Sequence, residues 1–357
     1  MYLSMPDIFF VPICYVEKDI LNIKKLVILQ KYNSNSYFID ETLKRKEIVI
    51  GISLPSQRED RWIRDKELME KLAKEKGVTV KIENADTDVA KQALQVDNLI
   101  SQGIDILILA PTDSVASAAM VEKAKKAGIK VIAYDRFIKN SDVDLYIAFN
   151  GIRIGELQGR FLTLKVPKGN YIIMSGDPND DNSALIKEGA MKYIKPLADI
   201  NAIKIVTDKA VDNWDPKNAL KIVEESLAAN KNKIDAILAP NDVTAGVAIQ
   251  ALESQGLAGK VQVTGMDGDL SAAQRIVQGT QLMTVLKDSR ELARTAIDAA
   301  IKLAKGEPID ITTTIRNVPT LLLTPIAVDK TNIDAIFIDS GSYNTGYYKK
   351  EDVYKMK

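Results

Sequence analysis

Short apolar runs alternate with amphipathic stretches along the chain from residue 47 onward. The first strand-like runs occupy 47–53, 78–84, 105–111 and 129–135. A stretch of helical periodicity follows the first of them and is predicted to form a helix over 60–76 that ends at Gly77. Strands that alternate with helices of this length form βαβ units, which build parallel sheets. The pattern therefore predicts an α/β fold.

The same alternation begins again after Asn150-Gly151, which predicts a second unit of similar construction. Its strand-like runs occupy 171–177, 203–208, 235–240, 261–266 and 281–287. The run DAILAP (235–240) resembles DILILAP (105–111), since each begins with Asp, continues with apolar residues and ends in Ala-Pro. We interpret this as an architectural repeat of two Rossmann-like lobes.

Three chain crossings are predicted between the two lobes, near 149–153, 285–288 and 316–323. The N-terminal lobe is predicted to take 47–150 and 288–316, and the C-terminal lobe 151–287 and 317–338. Several crossings between two lobes form a hinge, and closure of a hinge around a ligand is a common motion. The predicted architecture is thus two α/β lobes with a ligand cleft between them.

The two ends of the chain differ from this pattern. Residues 1–46 contain IFFVPICYV (8–16), an apolar run interrupted by Pro12 and far shorter than the roughly 20 residues that span a bilayer. No export signal is recognisable, and no lipobox precedes Cys14. We predict an atypical leader, or an anchor or docking segment, for 1–46, and a polar surface tail for 339–357.

Composition excludes several classes of protein. The chain has 357 residues with 48 Lys+Arg and 48 Asp+Glu, and this zero net charge argues against a nucleic-acid partner. It has no histidine, the commonest general base and metal ligand, and its single cysteine allows no intrachain disulfide. No dinucleotide or P-loop motif is present. We expect no enzyme activity, no catalytic residues and no cofactor.

One motif approaches a calcium-binding loop. In DPNDDNSALIKE (177–188), Asp177, Asn179 and Asp181 stand at alternating positions and Glu188 is the twelfth residue, but Asn182 replaces the glycine of the sharp turn. An EF-hand loop follows a helix, whereas this one follows a strand-like run. We favour a strand-to-helix turn whose polar residues cap the next helix, and predict no metal site.

Polar side chains stand where several predicted strands end. They are Asp135, Arg136, Asn182, Asn241, Asp267 and Lys287, and Trp62 and Trp214 follow two further apolar runs. Taken singly, each has a simpler interpretation as an ion pair, a helix cap or a core residue; we expect Asp242 to cap its helix and leave Asn241 for a ligand. Ligands of open α/β sheets bind at the carboxyl ends of the strands. Indole plates with hydrogen-bonding groups suit a sugar.

From residue 47 to about 338 the chain resembles the periplasmic-binding-protein-like sugar receptors, in particular the D-xylose-binding branch of bacterial ABC transporters. The stretches that carry the resemblance are REDRW (58–62), IKVIAYDR (129–136), IGELQ (154–158), VPKGNYIIMSGDPNDDN (166–182), VDNWDPKNALKIVE (211–224), NKIDAILAPNDVTAGVAIQAL (232–252), GTQLMTVLK (279–287) and LLTP (322–325). The resemblance implies the type I fold of that clan.

The resemblance also implies a set of sugar contacts. They are Arg61, Trp62, Asp135, Arg136, Asn182, Trp214, Asn241, Asp267 and Lys287. By this resemblance the two indoles sandwich a xylopyranose, the cations donate to its hydroxyls and the carboxylates accept from them. A site that pairs every hydroxyl rejects an analogue lacking one, because a buried partner is left unpaired. Glucose is expected to be refused by its extra hydroxymethyl group.

Two outputs remain open for such a receptor. It delivers D-xylose to an ABC permease, or it docks on the sensor domain of a membrane histidine kinase when the sugar is bound. Either output implies an extracytoplasmic, membrane-associated protein. A repressor of the same fold is disfavoured because residues 1–46 show no helix-turn-helix pattern. A sugar-processing enzyme is disfavoured by the missing histidine, metal cluster and nucleotide motif.

Overall fold

The computed structural model describes residues 47–339 and 346–355, so the segment predicted for 1–46 lies outside the described residues. The strands are β1 (Val49–Leu54), β2 (Thr79–Asn84), β3 (Ile106–Leu109), β4 (Lys130–Tyr134), β5 (Leu145–Phe149), β6 (Gly169–Ser175), β7 (Ile203–Ala210), β8 (Ala236–Leu238), β9 (Gln262–Val263), β10 (Met283–Leu286), β11 (Thr313–Ile315), β12 (Val318–Leu323) and β13 (Ile326–Asp329). Strand β5 was not among the strands predicted from the sequence.

The helices alternate with these strands. They are α1 (Asp60–Lys76), α2 (Val89–Ser101), α3 (Ala118–Lys126), α4 (Gly151–Lys165), α5 (Asp181–Asp199), α6 (Pro216–Ala229), α7 (Asp242–Ser254), α8 (Leu270–Gln278), α9 (Ser289–Lys305) and the single turn α10 (Lys350–Val353). A 3₁₀ turn at Asp212–Trp214 and a π-helical turn at Asp334–Ile338 complete the list. Helix α1 has its predicted bounds, and Gly77 ends it in the left-handed conformation.

The larger of two main sheets has seven strands in the order β11-β12-β5-β4-β3-β1-β2. All neighbours are parallel except the β11–β12 hairpin. Strands β3 and β5 are buried throughout, which agrees with their continuous apolar sequences. We call this sheet and its helices α1, α2, α3 and α9 lobe 1.

The smaller sheet has four parallel strands in the order β7-β6-β8-β9. The antiparallel pair β10–β13 continues beside it, because Leu282 N donates to Val263 O and Val285 N donates to Gly265 O. We call these strands and helices α4 to α8 lobe 2. The two lobes have the similar α/β construction that the repeat predicted.

Helices α4 and α5 of lobe 2 pack with their backbones almost in contact. A Cβ at Gly155 would lie 1.8 Å from the carbonyl oxygen of Ile186, and one at Gly189 would lie 2.1 Å from that of Ile152. Only glycine permits this approach. The contact sets the position of α5, whose first turn reaches the cleft described below.

The boundary predicted at 316/317 is wrong. Strand β12 pairs in parallel with β5 in lobe 1, and the chain crosses to lobe 2 only between Leu323 and Ile326. The parallel pairing with β5, in which Thr320 to Leu323 lie opposite Tyr146 to Phe149, places β12 in the larger sheet. The turn at Arg316 and Asn317, where both residues have positive φ as type I′ turns require, then adds β11 to β12 at the edge of that sheet.

Residues 346–355 of the predicted surface tail are largely at the surface, but they are packed against the lobes. Val353 is buried, and it packs with Phe337 in one apolar cluster of lobe 2. Tyr348 donates a hydrogen bond to the carbonyl of Gly268 (2.7 Å) and accepts one from Arg64 of α1 (3.0 Å). The aromatic residues of this segment supply the apolar contact that the polar composition concealed.

Within 47–339 and 346–355, none of the helices combines the length and the apolar character that crossing a bilayer requires.

Candidate functional site: a cleft between the lobes

All nine side chains predicted for the site line one cleft between the lobes. Its wall is formed by Arg61, Trp62, Asp135, Arg136, Asn182, Trp214, Asn241, Asp267 and Lys287, together with Glu59, Phe149, Ile154, Asp180, Ile186 and Met266. The carboxyl ends of β4, β6, β8, β9 and β10 lead into it. The fold thus brings together residues as distant in the sequence as Glu59 and Lys287.

One side of the cleft is formed by charged side chains around Asp135, and we call this group the charged wall. Arg61 Nη1 lies 2.7 Å from Asp135 Oδ2, and Lys287 Nζ lies 2.7 Å from Asp135 Oδ1. Arg61 also pairs with Asp65 one helical turn further along α1, at 2.7 Å. All four side chains are buried. A buried charge is tolerated when it is paired, and each charge in this network has an oppositely charged partner.

The network determines the charge state of its members. Burial opposes ionisation of Asp135, but Arg61 and Lys287 outweigh it and hold the pKa of that carboxyl well below its usual range. Burial instead raises the pKa of Asp267, because Lys287 and Arg61 offset its desolvation only in part and Asp135 repels a second negative charge. Of these two carboxylates, Asp135 is therefore firmly ionised and Asp267 is easier to protonate.

Trp62 forms the aromatic plate of lobe 1. It lies in the first turn of α1, is 2 % exposed and belongs to the largest apolar cluster. The guanidinium carbon of Arg61 lies 3.9 Å from the centre of its ring system and that of Arg136 lies 5.4 Å away. These are cation–π distances, so the plate and the cations hold one another in place.

Trp214 forms the plate of lobe 2, and its position depends on backbone conformation. Trp214 and Asn213 both have positive φ, which is uncommon for non-glycine residues and concentrates at functional sites. The indole nitrogen donates to Asp180 Oδ2 at 3.3 Å. A Cβ at Gly176 would lie 2.1 Å from the Trp214 ring, so only glycine leaves room for it.

The two amide side chains of the site have different surroundings. Asn182 Nδ2 donates to the carbonyl of Asp135 at 2.9 Å, which joins lobe 2 to lobe 1. Asn241 caps α7, since its Oδ1 accepts from the backbone of Thr244 at 3.0 Å. The prediction that Asp242 provides this cap is wrong. Its carboxylate instead accepts hydrogen bonds from the loop after β9, which leaves the cap to Asn241 and only the Asn241 NH₂ for a ligand.

Asp267 has a carboxylate oxygen without a hydrogen-bond donor among the described residues. The oxygen, Oδ1, is buried and lies 3.7 Å from Lys287 Nζ. The backbone of Asp267 has φ 97, and its N–H donates to Val285 O. A buried acceptor with no donor costs free energy unless a ligand supplies one, so this oxygen is a candidate acceptor for a ligand hydroxyl.

The residues of the calcium-like motif are engaged with protein groups. Asp177 accepts from the backbone of Asn179, Asp180 pairs with Arg136 at 2.9 Å, and Asp181 pairs with Lys139 at 2.9 Å. Asp180 caps α5 by accepting from the backbone N–H of Asn182. In the part of the chain that the structure describes, no group of acidic or cysteine residues is arranged to hold a metal ion.

Sequence reasoning missed two polar residues of the cleft. Asp180 holds both the Arg136 guanidinium and the Trp214 indole, and Glu59 accepts from Ser56 and Arg58 beside Trp62. The available signal was position, because each residue immediately precedes a helix whose first turn contains predicted site residues. Both were hidden among neighbouring charged residues.

The assembled cleft has the chemistry of a site for a small polyhydroxylated molecule. Two flat indoles belong to opposite lobes, and the cations and amide groups between them are donors in fixed positions. Ion pairs and cation–π contacts already hold these groups in place before any ligand is considered, which lowers the entropic cost of binding. The fold and the site together define a two-lobed protein that binds a small ligand between its lobes.

The chain belongs to the periplasmic binding protein domain family, whose model matches residues 50–308. It is 45% identical over 300 residues to the D-xylose-binding periplasmic protein of Escherichia coli, covering 83% of this chain and 91% of that one. The corresponding protein of Haemophilus influenzae is 42% identical over 87% of this chain and 93% of its own length.

Solved structures of sugar-binding proteins share this architecture. The carbohydrate transporter solute-binding protein of Chloroflexus aurantiacus, in complex with D-glucose, has a TM-score of 0.80 at 31% identity and covers 86% of this chain and 98% of its own. The ABC transporter solute-binding protein of Clostridium phytofermentans, with bound β-D-glucose, has a TM-score of 0.78 at 32% identity and covers 85% of this chain and 99% of its own.

Proposed function

We propose that this protein is a receptor that binds D-xylose between its lobes and releases it unchanged. The observation that carries the proposal is the convergence of all nine predicted side chains on one cleft, with the two tryptophans on opposite lobes. D-xylose is the favoured sugar because the relatives at 45% and 42% identity are D-xylose-binding proteins, whereas the two solved structures with glucose are 31% and 32% identical.

Each wall contributes a different part of the recognition. The indoles of Trp62 and Trp214 cover the C–H faces of the pyranose, which are apolar in xylose because its hydroxyls are equatorial. Arg61, Arg136 and Lys287 donate to the hydroxyls, and the unpaired Asp267 oxygen accepts from one of them. Binding proceeds without bond making or breaking, in agreement with the substrate-binding relatives.

The output that we propose is delivery of the sugar to an ABC permease on the extracytoplasmic side of the membrane. Periplasmic D-xylose-binding relatives support this assignment. The alternative output considered from the sequence, partnership with a histidine kinase, finds no support in the relatives described above and is not proposed.

Calorimetric titration with D-xylose, ribose, arabinose and glucose tests the proposal. Tight binding of xylose, with weaker heats for the other sugars and loss of the xylose heat in Trp214→Ala, is expected. Tyr193→Ala, which removes an aromatic ring of α5 outside the cleft, is the matched control and should bind as the wild type does. Absence of heat with xylose, or equal binding of glucose, would contradict the proposal.

A further inference from the structure

The turn at 177–182, before and within the start of α5, makes most of its polar contacts with the opposite lobe. The carbonyl of Asn179 accepts from the backbone N–H of Ser114 at 3.0 Å, and Asp180 pairs with Arg136 at 2.9 Å. Asn182 donates to the carbonyl of Asp135 at 2.9 Å. One short segment of lobe 2 is thus held by several elements of lobe 1.

Asp181 differs from its neighbours in this turn because it does not line the sugar cleft. Its side chain is 4 % exposed, and two cations of lobe 1 approach it from different elements. Lys139 Nζ lies 2.9 Å from Oδ1 and Arg316 Nη1 lies 2.8 Å from Oδ2. Both carboxylate oxygens are therefore neutralised across the lobe boundary.

The position of Arg316 is determined by the hairpin between β11 and β12. Arg316 and Asn317 occupy its turn with positive φ, and the guanidinium also lies 4.9 Å from the centre of the Phe137 ring. A tight turn and a cation–π contact orient the guanidinium within lobe 1. Little side-chain entropy is then lost when the lobes meet and the pair with Asp181 forms.

We propose that Asp181 is an affinity-determining residue that stabilises the closed cleft through these two ion pairs without contacting the sugar. The inference rests on the proposed function. When the lobes separate, both pairs break and the three groups return to water. Because the sugar binds tightly only to the closed form, a change in the closed fraction changes the apparent Kd in proportion.

Titration of full-length Asp181→Asn with D-xylose tests this inference. The apparent Kd is expected to rise about ten-fold, equivalent to about 1.4 kcal/mol, mainly through faster dissociation. The wild-type affinity should also weaken with added salt more than that of the variant, since Lys139 and Arg316 are partly exposed and their attraction is screened.

Glu156→Gln is the matched control. Glu156 also pairs with two cations, Arg153 at 3.1 Å and Lys192 at 3.0 Å, but all three residues belong to α4 and α5 of lobe 2. Its loss should leave the xylose affinity and its salt dependence unchanged. Equal affinities for Asp181→Asn and Glu156→Gln would overturn the inference.

A second variant covers the case in which Asp181→Asn disturbs the start of α5. Lys139→Gln combined with Arg316→Gln leaves α5 intact and should raise the Kd at least as much, because it leaves Asp181 buried and unpaired when the cleft closes. An unchanged Kd there would overturn the inference by itself. A wild-type protein that does not bind xylose would instead refute the proposed function.

Discussion

The two tryptophans of the cleft are held in place by different means. Trp62 lies in a regular helix and is fixed by the cations of Arg61 and Arg136, which belong to the same lobe. Trp214 lies in a short turn with positive φ, and its indole depends on a hydrogen bond to Asp180 and on the space left by Gly176. Cation–π contacts therefore hold the Trp62 indole, whereas the backbone conformation of its turn determines the position of the Trp214 indole.

This difference predicts that mutations at the two plates affect folding and binding differently. The charged wall is part of the buried interior of the protein, so damage there should unfold the protein as well as abolish binding. The second plate belongs to the same apolar cluster as Trp62 but stands on a short turn and not in a helix, so damage there should weaken binding with a smaller effect on folding. The predictions below test this contrast.

Removing Lys287 is expected to have the largest effect. In Lys287→Met the carboxylates of Asp135 and Asp267 lose their shared cation in a buried site. Loss of one partner of a buried pair costs about 3–5 kcal/mol, so the free energy of unfolding measured in urea should fall by that amount. Lys165→Met, at an exposed lysine of α4, is the control and should stay within about 0.5 kcal/mol of wild type. A stable Lys287→Met protein would show that the charged wall is not part of the folding core.

Trp214→Ala should separate binding from folding. Loss of an aromatic contact at the centre of a binding site typically costs about 2 kcal/mol or more, or at least about 30-fold in Kd. Trp62→Ala should lose binding and also about 3–5 kcal/mol of stability, because it removes the more deeply buried indole from a regular helix and leaves a cavity in the apolar cluster that the two tryptophans share. Calorimetry and urea unfolding of both variants provide the test. The contrast fails if Trp214→Ala is destabilised as strongly as Trp62→Ala.

Gly176→Ala is a smaller perturbation of the same plate. Its new methyl group would lie 2.1 Å from the Trp214 ring and 2.6 Å from the Ser183 hydroxyl, so the indole must move. Overpacking of this kind costs about 1–3 kcal/mol. We expect the free energy of unfolding to fall within that range, and the xylose affinity to fall as well because the indole is displaced from its place in the cleft. Ser254→Ala, at the exposed end of α7, is the control and should leave the xylose affinity unchanged. Gly256→Ala would not serve, because the positive φ of Gly256 makes any side chain there strained.

Tyr348→Phe tests a contact that joins the two lobes outside the cleft. The Tyr348 hydroxyl links Arg64 of lobe 1 to the Gly268 carbonyl of lobe 2. Loss of these hydrogen bonds should reduce the free energy of unfolding by about 1 kcal/mol. Tyr354→Phe, whose hydroxyl bonds only to Asp334 at a more exposed position, should have less effect. Equal losses for both would show that the C-terminal segment does not couple the lobes.

A smaller effect concerns pH and two of the carboxylates of the cleft, those of Asp135 and Asp267. The pKa of Asp267 is raised by burial above its unfolded value of about 3.9, so its stabilising contribution is complete below that pH and is lost as pH rises through the folded pKa. The lowered pKa of Asp135 gives the opposite sign, with stability lost only in strong acid. The free energy of unfolding in urea, measured from pH 4 to pH 7, should depend less on pH in Asp267→Asn than in wild type. Identical slopes would contradict this assignment.

Several features were predicted from local sequence because their causes are local. The bounds of α1 follow from apolar periodicity and from Gly77. Asp135 and Lys287 were correctly predicted to lie at the cleft because each directly follows a strand. Hydrophobic period and capping residues act over a few positions, so a single sequence contains them.

Other features depended on segments that meet only in the folded chain. The sheet to which β12 belongs, the use of Asn241 rather than Asp242 as a cap, and the packing of Tyr348 were all mispredicted. In each case a polar or apolar group had several suitable local partners, and a distant residue determined the choice. The sequence by itself determined the types and order of elements and the chemistry at the strand ends. The tertiary structure decided which of those groups pair, because burial favours the partner that satisfies both charge and hydrogen bonding.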